Sequence, residues 1–166
     1  LQLKYILLTH GHFDHIGAVN ELKEKTGARV AVHPEDSEML MDPAKNLSSF
    51  VGGEPINVSA DIMVEDGMEL QVSNIKLQVI HTPGHTKGGV SYLGDGVIFT
   101  GDTLFAGSIG RTDLPGGNYK ILIKSIREKL LVLDDNLVIY PGHGPSSTIG
   151  NEYASNPYLQ SGEEFL

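Results

Sequence analysis

His10-Gly11-His12-Phe13-Asp14-His15, directly after the apolar run Tyr5-Ile6-Leu7-Leu8, packs three imidazoles and a carboxylate into six residues. Imidazole and carboxylate are donors that divalent metals take, and the spacing H-x-H-x-D-H arises by chance in roughly one such sequence in a thousand. The stretch reads as a metal site. The chain has no cysteine, and a donor set without thiolate suits Zn, Mn or Fe(II) in an open, water-bearing site better than a closed structural one. The apolar residues ahead of it predict a buried strand over Lys4 to Leu8, so the ligands follow a strand end.

Outward from that stretch, Gly17 to Lys25 is predicted helical, with Ala18, Val19 and Leu22 on one face and an end at Gly27. A strand over Arg29 to His33 and a short helix over Pro34 to Met41, with Pro at its first position, follow. Asp42 to Ala60 lacks periodicity and reads as a long loop. Glu69 to Val72, Ile75 to His81, Gly89 to Leu93 and Val97 to Thr100 predict a meander of four short strands, with a hairpin at Gly94-Asp95-Gly96. Asn118 should cap a helix from Tyr119 to Leu130, Leu137 to Tyr140 returns to strand, and Ile149 to Asn156 forms a last helix before Pro157.

Three further segments put a metal-competent group at a strand-to-loop junction, each behind a glycine: Thr82-Pro83-Gly84-His85, Thr100-Gly101-Asp102-Thr103 and Tyr140-Pro141-Gly142-His143. Glycine there lets the backbone turn sharply as it leaves the sheet, so short side chains can reach a shared centre. A single catalytic zinc takes three protein ligands plus water. His10, His12, Asp14, His15, His85, Asp102 and His143 exceed that need and imply two divalent ions per chain, zinc being the expected metal and Fe or Mn the alternatives. A carboxylate bridging both ions is the economical arrangement.

Other polar residues receive plainer readings. His33 and His81 are read as satisfied polar groups outside the metal set, and Tyr119 and Tyr140 as packing residues. Arg111, flanked by glycines, could bind a substrate carboxylate bidentately or pair with Asp113. The Gly-rich stretch from Gly107 to Gly117 lacks the GK[ST] ending of a phosphate loop and reads as a shaped active-site loop.

With 166 residues, 40% of them hydrophobic, the chain is expected to form a single α/β domain over 1–166. A formal charge of −9 without any Lys/Arg block argues against nucleic acid or an acidic membrane surface as partner. The longest apolar stretch is far too short to span a bilayer, and the absence of cysteine fits a reducing cytoplasm.

H-x-H-x-D-H, the TPGH and TGDT segments and the terminal YPGHG together resemble the metallo-β-lactamase superfamily, and more closely its small single-domain, glyoxalase II-like hydrolases, to which the segment from Gly107 to Gly117 is also similar. The resemblance covers nearly the whole chain in the family's order. It implies an αββα sandwich, with one metal held by His10, His12 and His85, a second by Asp14, His15 and His143, and Asp102 between them. That fold begins with strands ahead of the H-x-H-x-D-H strand, so on typical strand lengths something like 40 residues are expected upstream of Leu1. The open edge of the first strand would then need such a segment or another copy, which leaves room for a homo-oligomer. Glyoxalase II also carries a C-terminal helical domain with basic residues for the glutathione carboxylates, and 23 residues follow His143 here.

These expectations give a reaction. Two divalent ions flanking a water lower its pKa to near 7 and supply hydroxide as nucleophile, with Asp14 and Asp102 as the catalytic carboxylates, and one ion can take the charge of the tetrahedral intermediate. A thiolate leaving group needs little protonation, so a small-molecule thioester of the hydroxyacylglutathione kind is the expected substrate. The alternative is a mononuclear iron persulfide dioxygenase-like oxygenase, told apart by metal content. A nuclease is disfavoured by the acidic balance, a non-catalytic scaffold by the intact ligand set. A β-lactamase ranks last, because those enzymes lack a bridging carboxylate matching Asp102.

Overall fold

The run after Lys4 forms β1 (Tyr5–Leu7), which pairs in parallel with β2 (Arg29–Val32), and β2 pairs in parallel with β3 (Ile62–Met63). Parallel neighbours need a crossover. Two helices, α1 (Phe13–Ile16) and α2 (Val19–Thr26), supply it between β1 and β2, and α3 (Pro34–Met41) follows β2. Side-chain alternation along β2 sets the layering: Val30 and Val32 pack with Leu8, Ile16, Val19, Leu40 and Val58 toward the helices, while Ala31 faces the other way. The computed structural model describes residues 2–160; Leu1 and residues 161–166, the ends of the expected 1–166 domain, lie outside it.

The expected meander is β4 (Glu69–Val72), β5 (Ile75–His81), β6 (Val90–Leu93) and β7 (Val97–Gly101), each antiparallel to the next. Beyond β7 come the hairpin β8 (Leu104–Phe105) and β9 (Ser108–Ile109), then α4 (Tyr119–Ser125), which continues as a π-helical turn over Ile126–Leu130. β10 (Val138–Pro141) pairs in parallel with β7, β11 (Ser147–Thr148) closes the edge, and α5 (Ile149–Ser155) and α6 (Pro157–Gln160) follow. The six strands lie in the order β11-β10-β7-β6-β5-β4.

Ile98 of β7 and Ile139 of β10 pack against Leu122, Ile126 and Leu130 of the α4 segment and Ile149 of α5. Val79, Val90 and Tyr92 turn to the opposite side and meet Ala31 and Leu7 of the smaller sheet, where the Tyr92 hydroxyl donates to the Leu8 carbonyl at 2.9 Å. Helices, sheet, sheet and helices thus form four layers, the αββα sandwich, with a three-stranded sheet facing a six-stranded one. Among the described residues β1 has a neighbour on one side only.

Several local expectations are corrected. α2 begins at Val19, and of its expected apolar face only Val19 is buried; Ala18 and Leu22 are exposed. The loop over Asp42 to Ala60 contains a 3₁₀ turn at Ser48–Phe50 and is organised by buried Asn46, whose amide donates to the Ile56 carbonyl and accepts from the Ser48 N–H. Tyr119 packs against the core as expected, but Tyr140 is 46% exposed and stacks on Phe99 at 5.7 Å. Among the described residues no helix is long and apolar enough to cross a membrane.

Candidate metal centre

β5, β7 and β10 run in the same direction, so their C-terminal ends share one sheet edge, the usual place for sites in α/β folds. His85 follows β5, Asp102 follows β7, and His143 follows β10. The C-terminal end of β1 reaches the same edge, where the Thr9 carbonyl accepts from the Val90 N–H at 2.8 Å. From there His10 and His12 lead into α1, whose first turn carries Asp14 and His15. All seven residues expected at the metal site therefore meet, although His12 and His85 are 73 residues apart in sequence.

Their donor atoms form overlapping triads. One ligand atom each from His10, His12 and His85 lies within 4.8 Å of the others, and the same holds for Asp14, His15 and His143, and for His10, His15 and Asp102. His12 Nδ1 and His85 Nε2 are 3.0 Å apart, close to the about 3.3 Å separating two nitrogens on one tetrahedral zinc with bonds of 2.0–2.1 Å. Asp102 Oδ1 stands 3.3 Å from His15 Nε2, while Oδ2 stands 3.6 Å from His85 Nε2 and 3.5 Å from His143 Nε2. Asp14 Oδ2 lies 3.1 Å from His143 Nε2. The Nε2 atoms of His10 and His15 and Oδ1 of Asp102 are buried without a hydrogen-bond partner. Such orphaned atoms are costly unless something electrophilic binds them, so the donor set fits metal ions.

Electrostatics points the same way. Burial, reinforced by the neighbouring histidines, holds the His10 imidazole well below its ordinary value, and burial with His85 beside it holds His12 at about 4. Both imidazoles are therefore neutral at neutral pH, the form in which a histidine can bind a metal. Burial also opposes charge on His15, but contact with Asp102 and its negative charge outweigh it and raise that pKa. Asp102 loses solvent too, and His15 and the other imidazoles keep its carboxyl below the usual range.

The surroundings fix these groups. His85 Nδ1 lies 2.7 Å from the Arg111 carbonyl, a contact that orients the imidazole with Nε2 toward the cluster. Gly84 has φ +132° and makes the expected sharp turn, but Gly142 serves by its size: a Cβ there would stand 2.2 Å from Asp102 Oδ1 and 2.8 Å from His15 Cε1. At the cluster opens a groove of about 770 Å³, lined by the apolar side chains of Phe13, Leu47, Phe50, Phe105, Ile109 and Leu114. Arg111 also lines it; its exposed guanidinium pairs bidentately with Asp113 at 2.7 and 2.8 Å. His33 and His81 lie apart from the cluster, stacked on each other at 4.1 Å. His33 Nδ1 accepts from the Glu35 N–H and His81 Nε2 contacts the Lys87 carbonyl, so both are satisfied as expected. The apolar walls carried no spacing signal, and neither did buried Asp36 beside the cluster.

Residues 1–143 match the family described as the metallo-beta-lactamase superfamily. The chain is 40% identical to "Hydroxyacylglutathione hydrolase GloC" of Haemophilus influenzae, over 97% of this chain and 78% of that one. Among solved structures, "BLEG-1 B3 metallo-beta-lactamase" superposes with a TM-score of 0.90 at 43% identity, over 95% of this chain and 77% of that one. "TTHA1623 in a di-iron-bound form" gives 0.82 at 37% identity, over 93% and 77%.

Proposed function

The chain belongs to the metallo-β-lactamase superfamily as a metal-dependent hydrolase, and from that premise we propose that it cleaves small-molecule thioesters with two divalent ions. The observation that carries the two-ion reading is the position of Asp102. One of its oxygens faces His15 and the other faces both His85 and His143, so its carboxylate joins the triad of His10, His12 and His85 to that of Asp14, His15 and His143. Zinc suits the donors, and iron is supported by the di-iron form of one relative.

Bound cations would supply a water deprotonated at neutral pH and a Lewis-acid contact for the substrate carbonyl oxygen. The chain's residues do the rest. His10, His12 and His85, all buried, hold one side of the centre rigid, while Asp14 and Asp102 balance its positive charge. The apolar walls exclude water from the acyl group. Among the described residues and apart from the proposed ligands, Arg111 is the one ionisable side chain lining the groove, and a guanidinium is no proton donor at pH 7. A thiolate, from a thiol of pKa near 8.5, leaves without one; an amine does not. The name of the Haemophilus relative points to acyl-glutathione, and Arg111 would meet a carboxylate of such a carrier by exchanging Asp113 for it.

A substrate panel with metal counting tests this: S-lactoylglutathione, an acetyl thioester of a neutral thiol, an oxygen ester, a β-lactam, and a persulfide with oxygen uptake followed. Thioesters should turn over fastest with two ions per chain, and R111A should raise KM for S-lactoylglutathione while kcat holds. Faster β-lactam turnover, as the name of the BLEG-1 relative would suggest, or oxygen consumption with one iron per chain, would overturn the reading.

A further inference from the structure

Asp36, in the first turn of α3, is fully buried yet lies outside the metal cluster. Its carboxylate accepts three hydrogen bonds: from the Gly11 N–H at 3.1 Å and the Thr86 hydroxyl at 2.7 Å on Oδ2, and from the Gly88 N–H at 2.7 Å on Oδ1. Gly11 separates His10 from His12, and Thr86 follows His85. One side chain therefore fastens together two loops, leaving strands of different sheets, that carry His10, His12 and His85. Glycines let them come this close. A Cβ on Gly88 would stand 2.6 Å from the Asp36 nitrogen and 2.8 Å from Oδ1, and one on Gly11 would stand 3.0 Å from Met39 Sδ of the same helix.

A buried carboxylate is a poor device for stability alone, since desolvation offsets most of what its bonds contribute. Here burial does push the Asp36 carboxyl upward, against the pull of the bonds from Thr86, Gly88 and Gly11. Fixing geometry is the better use of such a group, because ligands must be held within about 0.5 Å of their productive positions. Three acceptor contacts in known directions set both the spacing and the relative rotation of the two loops.

We propose that Asp36 is the positioning residue of the His10, His12 and His85 triad, holding the two loops so that their imidazoles converge before an ion arrives. The proposal rests on reading those histidines as ligands. It predicts that D36N, which keeps the shape but turns an amide N–H₂ toward a donor, weakens metal binding by roughly 10- to 100-fold, the usual effect of losing a group that orients ligands. T86V, which removes one of the three donors and keeps the carboxylate, should weaken it a few-fold, and T86S, which keeps the hydroxyl, should restore wild-type affinity.

The measurement is Co(II) binding by competition, with the visible absorption bands of the bound ion and the melting temperature before and after metal addition. Altered bands together with the graded loss of affinity support the proposal. Wild-type affinity and bands in both D36N and T86V overturn it, even where melting temperatures fall, because that result marks a purely structural role. If D36N does not fold, the comparison of T86V with T86S decides alone: equal affinities overturn the proposal. H85A separates the underlying reading, since full Co(II) stoichiometry in that variant would sink His85 as a ligand, whatever D36N does.

Discussion

Replacing Gly84 by Ala should cost the protein about 2–6 kcal/mol and, with it, the His85 position. Two terms add. At φ +132° an L side chain is strained, which is worth about 1–3 kcal/mol. The new Cβ would also stand 2.4 Å from the backbone N and Cα of Leu122 and 2.5 Å from its Cβ, about 1 Å inside ordinary contact. Overpacking of that kind costs a further 1–3 kcal/mol, and the obstacle is helix backbone, which cannot swing aside like a side-chain tip. Nor can the turn back away freely, because the Gly84 carbonyl accepts from the Asn118 N–H at 2.7 Å and the Pro83 carbonyl from the Ser125 hydroxyl at 2.7 Å. Urea unfolding of the metal-free variant reads the loss directly, against a total stability of about 5–15 kcal/mol for a domain of ordinary stability. G144A is the control: Gly144 also adjoins a proposed ligand, His143, and has φ +81°, but a Cβ there meets nothing within 4 Å, so only the backbone term remains. If G84A loses less than about 1 kcal/mol, or no more than G144A, the close packing of the TPGH turn on α4 is not what holds His85.

Asp102→Ala should lower bound metal from two ions to one or none per chain and remove hydrolysis, because its oxygens face both triads; unchanged stoichiometry by mass spectrometry would refute the shared carboxylate. Acid should weaken the metal-free fold. His12 and His10 are held below their unfolded value of about 6.5, so the unfolded chain binds more protons and stability falls as pH drops through the window. For His12, from 6.5 to about 4, the loss is about 3 kcal/mol. His15 opposes it, since its raised pKa contributes stability below about 6.5 that fades as pH climbs through the folded value. A urea midpoint equal or higher at pH 4.5 than at pH 7.5 would contradict this balance.

The residues that converge were readable because metal chemistry restricts them to a few side-chain types at strand ends, and H-x-H-x-D-H is local enough to see as one pattern. Long, periodic elements such as β5 and α4 were readable for a similar reason. What escaped was set by tertiary contact. β3, β8, β9 and β11 have two residues each, too few for any period to show, and they exist because a neighbouring strand lies alongside. Leu22 looked buried by its spacing, but α2 turns only Val19 inward. The Asn46 hub and the Asp36 clasp are single polar residues inside otherwise ordinary segments, and only the folded chain reveals which backbone groups they serve. Gly142 looked like a turn residue; its neighbours, not its backbone angles, forbid a side chain.

Because the centre draws on both sheets and on residues from His10 to His143, it has a history as well as a geometry. Only the H-x-H-x-D-H segment gathers its proposed ligands locally; the other proposed ligands need the β5, β7 and β10 ends aligned, non-local contacts of the kind that form slowly. An ion therefore finds its full set of donors only in a nearly finished fold. Interactions absent from the folding transition state slow unfolding while leaving the folding rate alone. A chain made in a metal-starved cell should thus fold at its usual speed and come apart sooner, so that metal supply governs how long each molecule lasts, and not how fast it forms.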